Sequence, residues 1–346
     1  MAQPHATSAA MDGWALRSGA TPGILRVVAE SAAGRPYRGV LGPDEAVRIS
    51  TGAVLPDAAD AVLRREHGSE NGGVLVAPHV AAGRDLRVAG DEYPLAADVL
   101  PDGHRVRAHD LGVIATCGWD GAFCERRPRV AIVATGDELV PPGQLPEDAA
   151  VVDSNRFTIA AAAAAAGGEV VWTRCVIDTP DAVRAAVKDA ASGGPHAVDL
   201  LVTIGGASIG DHDHVRSVLE SISADVVVDG IAMRPGRPTC LAVLGSTRVL
   251  VLPGPPGAAV VAFHLIGREL IGGGTWSPNR VAVPCPPSGA YDEFIWCRAS
   301  DVGLVPVEGQ GSSSLSGLAR ADALAWIPQH RLADAAGGEV LASALP

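Results

Sequence analysis

Hydrophobic and polar positions alternate in two different ways along the chain. Residues 21–127 are broken into short β-type runs such as "ILRVVAESAAG", "GVLVAPHV" and "DLRVAGDEY", separated by Gly, Pro and Asp. This pattern predicts small antiparallel sheets and no long helix. From Arg129 onward strand and helix take turns: "RVAIVATG", a helix through "NRFTIAAAAAAAGG", "EVVWTRCVI", a helix at "PDAVRAAVKDAAS", then "DLLVTIGG". A helix over "DHDHVRSVLESI" follows, because Val215, Val218, Leu219 and Ile222 recur at helical spacing. "ADVVVDG", "TRVLVLPG" and a helix from about Pro256 complete the series, and beyond "GGGTWSPN" the segments are again β-type up to "GGEVLASALP". The alanine run 160–166 reads as helix, since alanine is the best helix former. The expected fold is multidomain α/β plus β. Residues 1–127 form a β-rich region, residues 128–276 a central Rossmann-like α/β domain with a mostly parallel sheet, and residues 277–346 a small C-terminal β domain.

Composition narrows the function classes. With 346 residues, 47% hydrophobic and 19% charged, the chain can bury more than one core. No stretch is long and apolar enough to span a membrane, and "MAQPHATSAAMDG" has neither a basic region nor an apolar signal core, so cytoplasm is the expected location. The six cysteines, Cys117, Cys124, Cys175, Cys240, Cys285 and Cys297, are scattered without a C-x-x-C pair, which predicts buried thiols rather than disulfides or zinc. A net charge of −12 argues against nucleic acid as a partner. A local cationic cluster, "MRPGRP", still offers Arg234 and Arg237 to one anion, on a loop that Pro235 and Pro238 are expected to hold extended.

Polar and glycine-rich turns fall where the strands end. Thr135, Gly136, Asp137 and Glu138 follow one strand; Asp153, Ser154 and Asn155 precede a helix; Gly205, Gly206, Ser208 and Gly210 follow another strand; Pro253 and Gly254 follow the last. Singly, each has an ordinary use as helix cap or turn. Together they sit on the edge where open α/β sheets bind ligands. A glycine turn feeding a helix N-terminus suits a phosphate or oxyanion, yet Asp211 and Asp213 in "GDHDH" repel one unless a cation lies between. His212 and His214 fall on different faces of a helix, which disfavours a two-histidine metal site.

The segments "SAAMDGWAL", "RISTGAVLPDAADAV", "VAIVATGDELVPPG", "DSNRF", "TIGGASIGDHDHV", "MRPGRP", "LPGPPGAAV" and "GQGSSSLSGLARADALAWIP" resemble, in order, the motifs of the MoeA family. These are the molybdopterin molybdenumtransferases, to which the gephyrin E domain also belongs. The glycine-aspartate segment is also similar to molybdopterin adenylyltransferases and CinA-type proteins, but neither carries the "MDGWAL" and "RISTGAVLP" flanks. The resemblance implies insertion of molybdate into adenylylated molybdopterin with release of AMP, the last step of molybdenum cofactor synthesis, with Mg²⁺ required. It implies Asp60, Asp137, Glu138, Asp153 and Asp211 as catalytic acids, and Asp211, Asp213 and Asp60 as metal ligands or metal-orienting groups. Thr135, Ser154, Asn155, Gly205, Gly206, Ser208, Gly210, Arg234, Arg237, Pro253 and Gly254 are implied for the molybdopterin-binding pocket. It implies a molybdopterin adenylyltransferase and recipient molybdoenzymes as partners, and a homodimer.

The chain also departs from the family pattern. Arg234 and Arg237 stand where the family usually has lysines, Pro255 where it has asparagine, and Trp14 where it has tyrosine. Only ten residues precede Met11, against a long helical segment in the family, which predicts weakened dimerisation. The alternative reading is a catalytically silent molybdopterin-binding or scaffold paralogue; the acids at 60, 137, 153, 211 and 213 favour the enzyme.

Overall fold

Six of the seven residues in Arg129–Thr135 are buried, as a strand covered on both faces requires. In the computed structural model, which describes residues 1–147, 149–207, 214–282, 289–330 and 338–345, this strand lies within a six-stranded sheet. Its order is Glu169–Val176, Arg129–Thr135, Leu200–Ile204, Thr247–Leu252, Cys240–Leu244, Asp225–Asp229. The first four strands are parallel, and the last two join antiparallel. Side chains alternate between faces. Val130 and Ile132 pack with Ile159 and Ala163 of helix Asn155–Ala165 and with Ala259 and Val261 of helix Pro256–Ala262. Ala131 and Val133 pack instead with Val183 and Val187 of helix Pro180–Ala191 and with Val215 and Leu219 of helix His214–Ser221. Arg129–Thr135, the first strand of this sheet in chain order, is flanked by the second, Glu169–Val176, on one side and the third, Leu200–Ile204, on the other. The strand order therefore reverses between Arg129–Thr135 and Leu200–Ile204, and the crossovers diverge there to leave a crevice at the carboxyl ends.

The C-terminal sheet runs Met233–Arg234, Asp292–Ser300, Ala323–Ile327, Glu339–Ala344, Ser277–Arg280, with Gly303–Pro306 paired to Asp292–Ser300. It shares a core with the α/β layer: Phe294, Trp296 and Leu324 pack in one cluster with Ile159 and Phe263. The chain forms two compact units, Met1–Cys124 and Glu125–Pro346, the C-terminal sheet belonging to the second.

The first unit holds a six-stranded sheet in the order Ala61–Arg64, Gly13–Leu16, Glu45–Ile49, Gly23–Ser31, Val74–Ala77, Ser69–Asn71. It differs from the sequence reading in two respects. Gly23–Ser31 and Glu45–Ile49 pair parallel, because residues 32–44 are long enough to carry the chain back to the same end. A helix, Ala108–Thr116, occupies a segment read as β-type. Its polarity is inverted, with Leu111 61% exposed and Asp110 3%, so no amphipathic period announces it. The Asp110 carboxylate accepts the Arg107 N–H (2.8 Å) at the helix start and pairs with the His104 ring. Trp14 is buried in this unit and its Nε1 donates to Glu70 Oε2 (2.8 Å).

Cys117, Cys240 and Cys297 are buried, whereas Cys124 and Cys175 are exposed, the latter on an edge strand; Cys285 lies outside the described residues. Among the described residues no helix is long and apolar enough to cross a membrane.

Candidate functional site

The carboxyl ends of the parallel strands open into a cleft of about 590 Å³. Thr135, Gly136 and Glu138 line it from the first strand end, Gly205 and Gly206 from the second, Pro253 and Gly254 from the third. Arg234 and Arg237 line the same cleft. Asp153, Ser154 and Asn155 line an adjoining recess of about 320 Å³ that shares Thr135, Glu138, Gly205 and Gly254 with it. The two glycines answer to the protein's own packing. Gly205 has φ +93°, and a Cβ there lies 2.5 Å from the Thr135 carbonyl oxygen. Gly206 has φ +62°, and a Cβ there lies 2.5 Å from Val215 Cγ2. Any side chain at either position pushes the turn off the neighbouring strand or off the helix that follows.

Hydrogen bonds tie the turns together. Thr135, 6% exposed, donates from Oγ1 to Asp178 Oδ1 (2.9 Å), and the Asp178 N–H donates to Asp137 Oδ1 (3.0 Å). Asp137 thus anchors a neighbouring strand end, and it is not among the residues lining either cavity. The buried Asp153 carboxylate accepts from Arg156 Nε (2.6 Å) and from the Arg156 N–H (3.2 Å), which fixes the start of helix Asn155–Ala165. Asn155 Nδ2 donates to the Gly254 carbonyl (2.6 Å), binding that helix to the Pro253–Gly254 turn. Pro255 stands just before helix Pro256–Ala262, where its missing N–H is no loss to the helix ladder.

The "MRPGRP" loop is not extended. Gly236 has φ +116°, the Thr239 N–H donates to Gly236 O (3.1 Å) and the Ile231 N–H to Arg237 O (2.9 Å), closing the segment into a turn. The prolines leave these donors free to close it. From helix His214–Ser221, Arg216 braces the turn through Nη2 to Pro238 O (3.3 Å) while pairing with Asp229 (2.6 Å). The Arg234 and Arg237 guanidiniums, both exposed, lie over the ring of Tyr291 at 4.5 and 5.8 Å from its centroid. Neither pairs with a carboxylate among the described residues.

Ser208, Gly210, Asp211 and Asp213 lie outside the described residues, as does His212. Asp60 belongs to the first unit, where its carboxylate accepts from the Ser18 N–H (2.6 Å) and Ser18 Oγ (2.7 Å). Three residues at the site escaped the sequence reading. Asp178 was legible in principle, since it directly follows "EVVWTRCVI" and strand ends were already the rule. Ser312 of the cleft wall and Tyr291 carried no such local signal. Among the described residues no three His, Cys, Asp or Glu gather into a metal cluster. Glu138 and Asp178 supply hard oxygen donors on the cleft wall, the ligand type that Mg²⁺ takes.

Relatives match the chain along its length. Residues 1–118 match the MoeA N-terminal region (domain I and II), residues 131–272 a probable molybdopterin binding domain, and residues 279–345 the MoeA C-terminal region (domain IV). A protein of Nostoc sp. named molybdopterin molybdenumtransferase is 32% identical, over 99% of this chain and 84% of its own length. One of the same name from Bacillus subtilis is 30% identical over 92% and 78%. A crystal structure of a molybdopterin biosynthesis MoeA protein from Pyrococcus horikoshii superposes with a TM-score of 0.84 at 27% identity, covering 99% of this chain and 88% of that one. With all three regions matched in order and a third of the residues shared across the whole length, the chain belongs to the MoeA family, the molybdopterin molybdenumtransferases.

Proposed function

We propose that this protein inserts molybdenum from molybdate into adenylylated molybdopterin, releasing AMP, in a Mg²⁺-dependent reaction. The observation that carries the reading is one cleft, at the reversal of strand order, walled by the carboxylates of Glu138 and Asp178 and by the guanidiniums of Arg234 and Arg237. Such a site holds phosphate and oxyanion groups by charge-assisted bonds while keeping acids beside the bond to be cleaved. Thr135 holds the Asp178 carboxylate in place, and Gly205 and Gly206 keep the turn seated on the cleft wall where a ligand's phosphate would lie. Asp153 and Asp137, whose carboxylates serve Arg156 and the Asp178 N–H, act by positioning rather than by proton transfer. Ser154, Asn155, Pro253 and Gly254 shape the recess beside them. Asp211 and Asp213 are the residues that would hold Mg²⁺, which when bound would neutralise pyrophosphate charge.

The proposed partition is a Rossmann-like molybdopterin-binding domain at 128–276, between β-rich regions at 1–127 and 277–346. The same proposal includes a cytoplasmic protein, at most a weakly associating homodimer, that receives its substrate from a molybdopterin adenylyltransferase and passes its product to molybdoenzymes.

Chromatographic measurement of AMP released from adenylylated molybdopterin by the full chain tests the reading. AMP is expected only with both molybdate and Mg²⁺ present, and Glu138→Gln should lower its rate by about a hundredfold or more, the scale of a lost acid–base group. Tight binding of the adenylylated pterin without AMP release under any of these conditions replaces the enzyme with the silent binder.

A further inference from the structure

Two cations of the cleft wall, without a carboxylate partner among the described residues, meet one aromatic ring. The meeting is set by backbone pairing. Met233–Arg234 leaves the α/β layer and joins the C-terminal sheet in parallel with Asp292–Glu293, Met233 opposite Asp292 and Arg234 opposite Glu293. The Asp292 N–H donates to Ala232 O (2.9 Å), so Tyr291 enters that strand alongside the arginine turn. Its half-buried ring then lies under Arg234, with the Arg237 guanidinium near the same ring. Two guanidiniums three residues apart repel each other, and each long side chain loses rotamer freedom when it grips a ligand. An aromatic face opposes both costs: its negative quadrupole attracts each cation, and its plane suits the flat guanidinium better than a compact ammonium.

We propose that Tyr291 is a positioning residue that stacks Arg234 and Arg237 into one preorganised clamp for a tetrahedral dianionic oxyanion, molybdate or a phosphate group. This rests on the reading of the cleft as an oxyanion site. The segment entering strand Asp292–Ser300 thereby contributes to ligand affinity without touching the ligand.

Titration calorimetry of the full chain with molybdate alone and with inorganic phosphate alone tests it. Tyr291→Leu should weaken both anions by about tenfold, because two arginine side chains released from the ring must then be ordered on binding, and Tyr291→Phe should restore the affinity to within about twofold. A phenylalanine carrying five ring fluorines at position 291 keeps the shape but reverses the quadrupole, and should weaken binding as leucine does. In the Arg234→Lys/Arg237→Lys background the loss on Tyr291→Leu should shrink to about threefold or less. Equal losses in both backgrounds, or fluorinated and plain rings binding alike, reduce Tyr291 to packing and overturn the proposal. So does a wild-type chain that binds neither anion. AMP release that fails while the ring dependence persists refutes the proposed reaction and leaves the clamp standing.

Discussion

The arginines of the N-terminal sheet and those of the cleft are put to opposite uses. In the sheet, Arg26 pairs with Glu45 directly across the strand pair, Arg48 with Glu70, and Arg64 with Asp85. The pairing shows in the acids: the Arg48 guanidinium holds Glu70, and the Arg64 guanidinium holds Asp85, below the usual carboxylate range. At the cleft, Arg234 and Arg237 have an aromatic ring and no carboxylate among the described residues. A neutralised guanidinium has little left to offer a ligand, whereas an unneutralised one over an aromatic face is still in need of an anion. In a chain with a net charge of −12, that local contrast says more about the site than the total does.

An arginine in a third kind of setting sharpens the comparison and carries the largest expected effect. Arg268 lies against the buried His264, with Nη1 2.8 Å from its Nε2, and bonds to the carbonyls of Gly273 and Ala344. Burial, and then the Arg268 charge, push the His264 pKa from 6.5 down to about 4. A histidine depressed in the folded state is neutral there, so its contribution is complete above about pH 6.5 and drains away as the pH falls toward 4. Between pH 7 and 4 this one group should cost the wild type about 3 kcal/mol of stability. His264→Gln cannot charge, so its urea-unfolding midpoints should fall less steeply over that window. Parallel curves for the two proteins mean that His264 is solvated enough to titrate normally.

Arg237→Ala addresses the cleft side directly. Removing one charge-assisted contact should weaken molybdate or phosphate binding by roughly ten- to a hundredfold, and wild-type affinity should fall as salt rises. Arg237→Lys should recover much of that loss, since a positive charge remains within reach. Calorimetry that finds Arg237→Ala as tight as wild type makes the turn surface decoration.

The strand ends of this site were legible because their signals are local. Apolar runs stop at Thr135, Ile204 and Leu252, and glycine or proline follows each within two residues. What stayed hidden depends on pairing between distant segments. Nothing near Tyr291 says that Met233–Arg234 will cross into the C-terminal sheet and lie beside it, and nothing near Ser312 marks a cleft wall. The "MRPGRP" segment misled for a related reason. Two prolines suggest an extended path, but the Gly236 φ and the Ile231 N–H bond to Arg237 O, set by the surrounding strands, make a turn. Helix Ala108–Thr116 was hidden differently, by an exposed leucine and a buried aspartate where periodicity expects the reverse.

The smallest expected effect lies on the paired side. Arg64 lies on strand Ala61–Arg64 with its guanidinium forked on both oxygens of Asp85 (2.6 and 2.9 Å), and its side chain is 37% exposed. Solvent screens such a pair and side-chain ordering offsets part of its attraction, so Arg64→Ala should lower Tm by no more than about 3 °C. The Asp85 pKa should rise toward its ordinary value as its hydrogen-bonded partner is lost. Because Asp85 is held below the usual range, the stability its pairing supplies is present above its unfolded pKa and fades as acid protonates it. The gap between wild type and Arg64→Ala should therefore be widest near neutrality and close at low pH. Anion affinity should stay within about twofold of wild type, since this charge was already neutralised where it stands. If Arg64→Ala weakens molybdate or phosphate binding as much as Arg237→Ala does, the anions respond to the protein's overall charge rather than to the cleft guanidiniums, and the division between the two kinds of arginine fails.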